Sequence, residues 1–275
     1  MVERSATRAQ LNAGLTGESG DWRAFVRRQQ QYVLLPLALL IFLGLWELIV
    51  WLGQYPSFIL PTPRRVYERF WIAATKGALW WHTGVTLTEI GGGLVLGLTT
   101  ALLLGYWMAK SRTLERFVSP YIVASQSVPI VALAPLLVIW FGPGRLSKVL
   151  VCALTLFFPM LMNTMVGIRS VDRDLVNLMR SLRATRWQMF ALLEAPSSLP
   201  TLLGGLKVSM TLSVIGAVVG EFVAADRGLG FLINVARGNF DTPLMFVAIL
   251  TLVVIALILY LSMALLETIL LKRRG

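Results

Sequence analysis

The chain has 275 residues, of which 56% are hydrophobic and only 14% are charged, and its mean hydropathy is +0.72. Soluble domains carry about 25% charged residues, so this composition excludes an ordinary water-exposed enzyme, a disordered chain and a collagen-like chain. The single cysteine excludes an intramolecular disulfide framework. The net charge of +11 indicates basic loops on one side of a membrane, and not nucleic-acid binding.

The chain begins with a polar tail, residues 1–30, which the sequence predicts to end in a short interfacial helix around Trp22–Gln31. Residues 31–275 contain six apolar segments, each near the length of about 20 residues that a helix needs to cross hydrocarbon. The six predicted spans are Tyr32–Gly53, Gly84–Ala109, Phe117–Phe141, Ser147–Ile168, Leu199–Val223 and Pro243–Leu271. The fold class is therefore an all-α membrane protein with six transmembrane helices.

Two of these regions carry special features. After Leu60-Pro61-Thr62-Pro63, apolar side chains from Val66 to Ala74 recur at helical spacing and predict an amphipathic helix at the outer face. The third span contains three prolines and a polar Ser125-Gln126-Ser127 stretch. Because proline removes a backbone donor, we expect this span to be kinked or broken unless it is buried in protein.

The basic residues predict the orientation of the spans. With the N-terminus inside, most of the 25 Lys and Arg residues fall on inside segments. Cytoplasmic loops are enriched in Lys and Arg, so both termini are expected in the cytoplasm.

Small residues recur every fourth position on the second and fifth spans. Such strips allow two helix backbones to approach closely in a membrane. They favour packing within one subunit over a dimer seam. The residues are Gly93, Gly97, Ala101 and Gly105, and then Gly216, Gly220 and Ala224.

Polar residues inside the spans are candidates for a translocation path, because each is unfavourable in lipid. Gln126 and Asn163 lie near mid-membrane, and Glu221 lies towards the outer side. Hydrogen bonding between helices is the alternative for each of the three. Glu47 and Glu267 are instead expected to pair with neighbours or reach the interface near span ends.

Catalytic and metal-binding patterns are not apparent in the sequence. His82 and Cys152 alone supply neither a metal cluster nor a catalytic triad. The segment from Gly105 to Ser111 is similar to a P-loop, but Ala109 stands where the second glycine is required. The chain is therefore expected to bind no cofactor, and any nucleotide hydrolysis belongs to another chain.

The inside loop at residues 170–198 is the most distinctive part of the sequence. Its apolar residues follow three- and four-residue steps with one interruption between Arg183 and Arg186, which predicts two short helices with a bend. An apolar face beside a basic face fits either an interfacial helix on anionic lipid or a docking surface for a cytoplasmic partner.

This loop resembles the coupling-helix motif of ABC importer permeases. Ala184, Phe190, Leu193 and Pro196 match the motif, whereas Asn177-Leu178-Met179 replaces Glu-Ala-Ala, and Arg183 and Ala195 replace a glycine and a leucine. The flanks are similar to permeases of the nitrate, sulfonate and taurine group. The similar segments are Leu60–Pro63, Ser127–Leu136, Trp140–Gly142, Phe157–Met160, Gly167–Asp172 and Gly228–Leu232.

The resemblance implies a type I importer permease in a prokaryotic plasma membrane. It further implies a homodimer, two ATPase subunits that use ATP and Mg²⁺, an extracytoplasmic binding protein, surrounding lipid and no nucleic-acid partner. The residues implied in ATPase coupling are Asp174, Leu178, Leu182, Arg183, Ala184, Trp187, Phe190 and Pro196. Gly228, Leu229 and Gly230 would belong to the loop that meets the binding protein.

Arg183 is the residue that departs most from this pattern. If the bend needs a positive φ, a non-glycine residue there is strained by about 1 kcal/mol or more, so the bend is either strained or placed elsewhere.

The substrate is indicated only by a local likeness. Val214–Val223 resembles permeases for pyrimidine-type vitamin precursors or riboflavin, which favours a neutral heterocycle. The alternative substrates are an aliphatic sulfonate, taurine or nitrate. Two other classes remain open: a secondary transporter or channel that uses Glu221 without ATP, and a membrane-embedded enzyme, for which no catalytic cluster can be assembled.

Overall fold

The computed structural model describes Leu34 and residues 36–272, and this part of the chain is helical without β-strands. The predicted interfacial helix at Trp22–Gln31 lies outside the described residues. The helices are α1 (Pro36–Gly53), α2 (Pro63–Thr75), α3 (Ala78–Lys110), α4 (Arg112–Gln126), α5 (Ile130–Phe141), α6 (Arg145–Arg169), α7 (Arg173–Ser181), α8 (Arg186–Ala224), α9 (Leu229–Gly238) and α10 (Thr242–Lys272).

Among the described residues, five helices are long and apolar enough to cross a membrane: α1, α3, α6, α8 and α10. Together, α4 and α5 are also long and apolar enough to cross, and they supply a sixth crossing if the two are counted as one span. The chain divides into two compact units, Met1–Arg65 and Val66–Gly275. The first unit contains α1, whose apolar side chains are mostly exposed. The prediction of six membrane helices is confirmed.

The amphipathic helix predicted before the second span is present as α2. Pro63 occupies its first position, where a proline fits because the missing N–H would be unpaired in any case. Val66 and Ala73 are buried, and Trp71 on the same helix is exposed. Arg69 donates to Asp241 at 2.5–2.8 Å, so α2 is tied to the start of α10.

In the second unit, α6 is packed closely by α3 and α8. A Cβ atom added to Gly97 of α3 would come within 2.8 Å of the Ala153 carbonyl oxygen on α6, and one added to Gly216 of α8 within 2.7 Å of the Cys152 Cα. Gly105 and Gly220 approach α6 in the same way. The two small-residue strips therefore serve packing within the subunit, as the sequence favoured.

The third predicted span is broken. Between α4 and α5 the chain turns by 98°, and Pro129 stands immediately before α5. Proline disfavours the helical conformation in the residue before it, which explains why α4 stops short of Pro129.

The prediction of two separate short helices in the loop at 170–198 is wrong for the second one. That segment is the beginning of α8, which runs continuously from Arg186 through the predicted fifth span. Its residues Met189–Glu194 form a π-helical turn in which the Ala195 N–H donates to the Phe190 carbonyl. The wider turn relieves the crowding that Pro196 would impose on a regular helix, so the helix continues.

The bend before α8 is a Schellman motif. Arg183 has a φ of 53°, the Arg183 N–H donates to the Arg180 carbonyl at 2.9 Å, and the Ala184 N–H donates to the Met179 carbonyl at 3.0 Å. These are the two hydrogen bonds that close a helix C-terminus around a left-handed residue, which is usually glycine. The bend thus requires a positive φ, and Arg183 adopts it.

Replacing Arg183 by glycine should stabilise this bend by up to about 1 kcal/mol, because glycine adopts a positive φ without the Cβ penalty. A valine at the same position should destabilise the bend, since β-branched residues are strongly disfavoured there. Hydrogen exchange of the Ala184 amide measures the effect. Equal protection in the glycine and valine variants would contradict the assignment.

The close approach of α3 to α6 predicts a position-specific effect on stability. Gly97→Ala should destabilise the protein by about 1–3 kcal/mol, because the added methyl group meets the α6 backbone. Gly91→Ala on the same helix is the matched control, since its Cβ would have nothing within 4 Å. Thermal unfolding in detergent should give a lower midpoint for Gly97→Ala only; equal midpoints would refute the packing argument.

Candidate functional site

The predicted ATPase-coupling segment exposes a line of apolar side chains. Every residue of α7 is exposed or half-buried, and Leu175, Leu178 and Leu182 share one face at steps of three and four. Leu182 is 70% exposed and Trp187 is 72% exposed. We call Leu175, Leu178, Leu182 and Trp187 the docking face. No described part of the chain buries these side chains.

Basic side chains surround the docking face. Arg173, Arg180, Arg183 and Arg186 are all exposed. Asp174, another residue predicted to take part in coupling, is exposed in the first turn of α7, where its N–H donates to the capping carboxylate of Asp172 at 2.8 Å. An acidic residue here suits the positive end of the helix dipole, so Asp174 also has a local role.

The remaining residues predicted to couple to the ATPase are partly covered by the chain itself. Phe190 packs edge-on against Tyr106 of α3 with ring centroids 5.3 Å apart, and it lies 5.8 Å from the Trp187 ring. Ala184 and Pro196 are half-buried. Phe190 thus connects the docking face to α3.

Sequence reasoning missed an ion pair that joins the same two helices. Glu194 is 2% exposed and pairs with Lys110 at the end of α3, and Tyr106 donates to the same carboxylate at 3.3 Å. The one feature of the sequence that could have indicated this ion pair is Glu194 itself, a lone acid within an apolar stretch before the fifth predicted span.

Two further ion pairs lie at this end of the helices. Arg169 of α6 forms a two-pronged pair with Glu115 of α4 at 2.6 and 2.7 Å. Lys207 of α8 pairs with Glu267 of α10 at 2.5 Å, which confirms the prediction that Glu267 pairs with a neighbour. Together with Lys110–Glu194, these ion pairs connect three different pairs of helices.

Of the three path candidates, Gln126 lines a cavity. The cavity has a volume of about 590 Å³ and lies between the α4–α5 break and α6. Its polar lining residues are Ser125, Gln126 and Thr155, and Phe158 and Met162 are among the apolar ones. None of the lining residues is charged.

Asn163 and Glu221 are placed elsewhere. The Asn163 amide donates to the Pro159 carbonyl of its own helix at 2.8 Å, and the side chain lies against Gly205 of α8. Glu221 is 1% exposed and accepts a hydrogen bond from the Thr86 hydroxyl at 2.6 Å. The structure does not bring the three residues together, and the contacts of Glu221 favour the alternative of hydrogen bonding between helices.

The loop before α9 is held by polar groups of α3 and α8. The Gly230 N–H donates to Glu221, the Leu229 N–H donates to the Thr86 hydroxyl at 2.8 Å, and the Gly228 N–H donates to His82 Nδ1 at 3.0 Å. His82 is half-buried, and its ring accepts this hydrogen bond.

Gly228, Leu229 and Gly230 are all buried. The exposed side chains of the loop are those of Asp226 and Arg227, whose guanidinium donates a hydrogen bond that lowers the pKa of the Asp226 carboxyl. The contact with a binding protein stays a prediction, and these two side chains are the ones that the loop offers for it.

Metal-binding geometry is not found in the part of the chain that the structure describes: no group of three or more His, Cys, Asp or Glu side chains there could hold an ion. Two acids, Glu89 and Glu221, are buried near the α9 end, and Lys148 Nζ lies 4.0 Å from Glu89. The helices thus carry the exposed docking face at their α7 end and the hydrogen-bonded loop at their α9 end. The uncharged cavity lies beside the α4–α5 break.

Comparisons with known proteins agree with this arrangement. The chain is 50% identical over 238 residues to the riboflavin transport system permease protein RibX of Chloroflexus aurantiacus, covering 86% of this chain and 89% of that protein. It is 36% identical to the formylaminopyrimidine transport permease protein ThiX of Halalkalibacterium halodurans, covering 90% and 99%. The fold is similar to the inward-facing MetNI methionine ABC transporter, with a TM-score of 0.59 at 18% identity, covering 74% and 98%.

Residues 93–274 match the family described as the binding-protein-dependent transport system inner membrane component. Members of this family are permease subunits that do not themselves catalyse a reaction, and ATP is hydrolysed by a separate subunit. The chain therefore belongs to this family, the multi-pass inner-membrane permease subunits of prokaryotic ABC importers.

Proposed function

We propose that this permease carries riboflavin, or a neutral planar heterocycle of similar chemistry, into the cell as a homodimer with two ATPase subunits and a binding protein. The observation that carries the proposal is the 50% identity to a riboflavin permease over 86% of the chain. Both termini and the docking face would lie in the cytoplasm, and the α9 loop outside.

The cavity beside the α4–α5 break supports a neutral solute. Its lining offers the amide of Gln126 and the hydroxyls of Ser125 and Thr155 for hydrogen bonds, and Phe158 for contact with an aromatic ring. A sulfonate or nitrate would favour positively charged groups, because an anion in a low-dielectric site needs compensation. The uncharged lining therefore fits a heterocycle better than an anion.

The docking face supports coupling to an ATPase subunit. An exposed line of apolar side chains flanked by arginines resembles half of an interface, since its centre is apolar and its rim is charged. Movement of the docking face would reach the spans through Phe190 on Tyr106 and Glu194 on Lys110. ATP-driven closure of the ATPase subunits would thus reorient the helices between outward-facing and inward-facing states.

Gln126→Leu should lower riboflavin uptake about 2- to 12-fold at saturating binding protein, because it removes one exposed hydrogen-bonding group worth about 0.5–1.5 kcal/mol. Thr99→Val is the control, since Thr99 is exposed and bonds carbonyls of its own helix. The measurement is uptake of labelled riboflavin into vesicles that contain the full transporter.

Uptake of taurine but not riboflavin by the same vesicles would overturn the proposed substrate while leaving the permease role intact. Equal uptake by Gln126→Leu and the wild type would remove Gln126 from the path.

Leu182→Glu should reduce co-purification of the ATPase subunit more than about 10-fold, because it places a charge at an apolar interface centre. Asn177→Glu is the matched control, since it adds the same charge at an exposed position of α7. Co-purification from detergent-solubilised membranes measures the effect. Retention of the ATPase by Leu182→Glu at the level of Asn177→Glu would argue against the docking face.

A further inference from the structure

The loop that precedes α9 shows an unusual way of starting a helix. The capping residue Gly228 has no side chain to accept a hydrogen bond, and its φ is 112°. The first N–H groups of a helix have no partner within the helix and need acceptors from elsewhere. In this protein the acceptors come from two other helices.

Three consecutive N–H groups are satisfied in this way. His82 and Thr86 of α3 accept from Gly228 and Leu229 at 3.0 and 2.8 Å. The Glu221 carboxylate of α8 accepts from Gly230, and its other oxygen accepts from the Thr86 hydroxyl at 2.6 Å. A carboxylate at a helix N-terminus is also favoured by the helix dipole. We call Glu221, Thr86 and the N–H groups of residues 228–230 the α9 clamp.

The glycines of the loop make this approach sterically feasible. A Cβ atom at Gly230 would lie 2.9 Å from the Glu221 Cβ and Oε2, and one at Gly228 would overlap the carboxyl group. The side chains of Glu221 and Thr86 are 1% and 0% exposed. Because the clamp is closed to water, a lost hydrogen bond there would leave a buried polar group unpaired.

We propose that Glu221 is a positioning residue that fixes the Asp226–Arg227 loop and α9 to α3 and α8, so that force applied to this loop by the binding protein moves both spans. This role goes beyond the proposed function. It requires that the chain be a binding-protein-dependent permease, but it does not depend on which solute is carried.

The sharpest test compares two replacements of nearly equal size. In Glu221→Gln, the glutamine can re-form the hydrogen bonds of the clamp. Its carbonyl oxygen accepts from the Gly230 N–H, and its NH₂ group donates to Thr86 Oγ1. The Thr86 hydroxyl then donates to the His82 carbonyl, which lies 3.2 Å away. Leucine fills the same space but leaves the Gly230 N–H without an acceptor. A purely steric role for Glu221 would make the two variants equivalent.

The readout is the distance between spin labels at two exposed positions, Trp81→Cys on α3 and Arg227→Cys on the loop, in a Cys152→Ala background. In the purified permease, the distribution should stay narrow for Glu221→Gln and become at least twofold broader for Glu221→Leu. A distribution of wild-type width in Glu221→Leu would overturn the proposal. The measurement needs neither the ATPase subunits nor the binding protein, so it tests the clamp separately from the transport function.

The functional readout is ATPase activity of the complete transporter. Glu221→Leu should keep basal ATPase activity and lose most of its stimulation by loaded binding protein, about 10-fold, whereas Glu221→Gln keeps the stimulation. Unchanged stimulation in Glu221→Leu would overturn the proposed transmission.

A second pair of variants tests the proposal if Glu221→Leu does not fold. Gly230→Ala pushes against Glu221, whereas Gly238→Ala at the far end of α9 has nothing within 4 Å of its added Cβ. The proposal expects a broader label distribution and lost stimulation in Gly230→Ala only. The same behaviour in both alanine variants would contradict it.

Discussion

The close approach of α3 and α8 to the backbone of α6 is the constraint on which the second unit depends. Lipid tails are as apolar as leucine, so helices in a membrane gain little from burying apolar surface and associate through close packing. Gly97 and Gly216 lie so near α6 that an added Cβ would come within 3 Å of backbone atoms. The glycines therefore set the distance between these three helices. That distance in turn determines where the polar groups at the helix ends lie.

Charge is handled differently at the two ends of these helices. At the α7 end, the pairs Lys110–Glu194 and Lys207–Glu267 are part-buried, the pair Arg169–Glu115 is exposed, and each pair joins two different helices. At the α9 end, Glu89 and Glu221 are almost fully buried. Ionisable groups inside a membrane are costly unless they are paired or hydrogen-bonded, and they tend to serve a function. The α7 end is cross-linked near its surface, whereas the α9 end is organised around buried acids.

The sequence predicted what composition and periodicity control, and it missed what depends on distant partners. The spans, the interruption of the third span and the amphipathic helix α2 follow from apolar length, proline and spacing, although the sequence did not indicate which proline marks the break. The continuity of α8 was missed because the loop at 170–198 and the apolar span from Leu199 differ in composition, although one helix runs through both. Glu194 and Lys110 are 84 positions apart, so no local pattern indicates that they pair. The sequence likewise left open whether Glu221 lines the path or bonds to another helix, because its partner Thr86 is 135 positions away.

Helix α8 is long enough to connect the α7 end of the helices to the α9 end. Its 39 residues correspond to about 58 Å of helix. Near its first residues α8 carries Trp187 of the docking face and the adjacent Phe190, and near its last residues it carries Glu221 of the α9 clamp. A rigid helix cannot tilt at one end without displacing the other. The π-helical turn at Met189–Glu194 is the place where this continuity is weakest, because its hydrogen bonds follow a different spacing from the rest. A displacement of the docking face would therefore be absorbed first at this turn, unless the ion pair between Glu194, which lies in the turn, and Lys110 of α3 holds the turn in place.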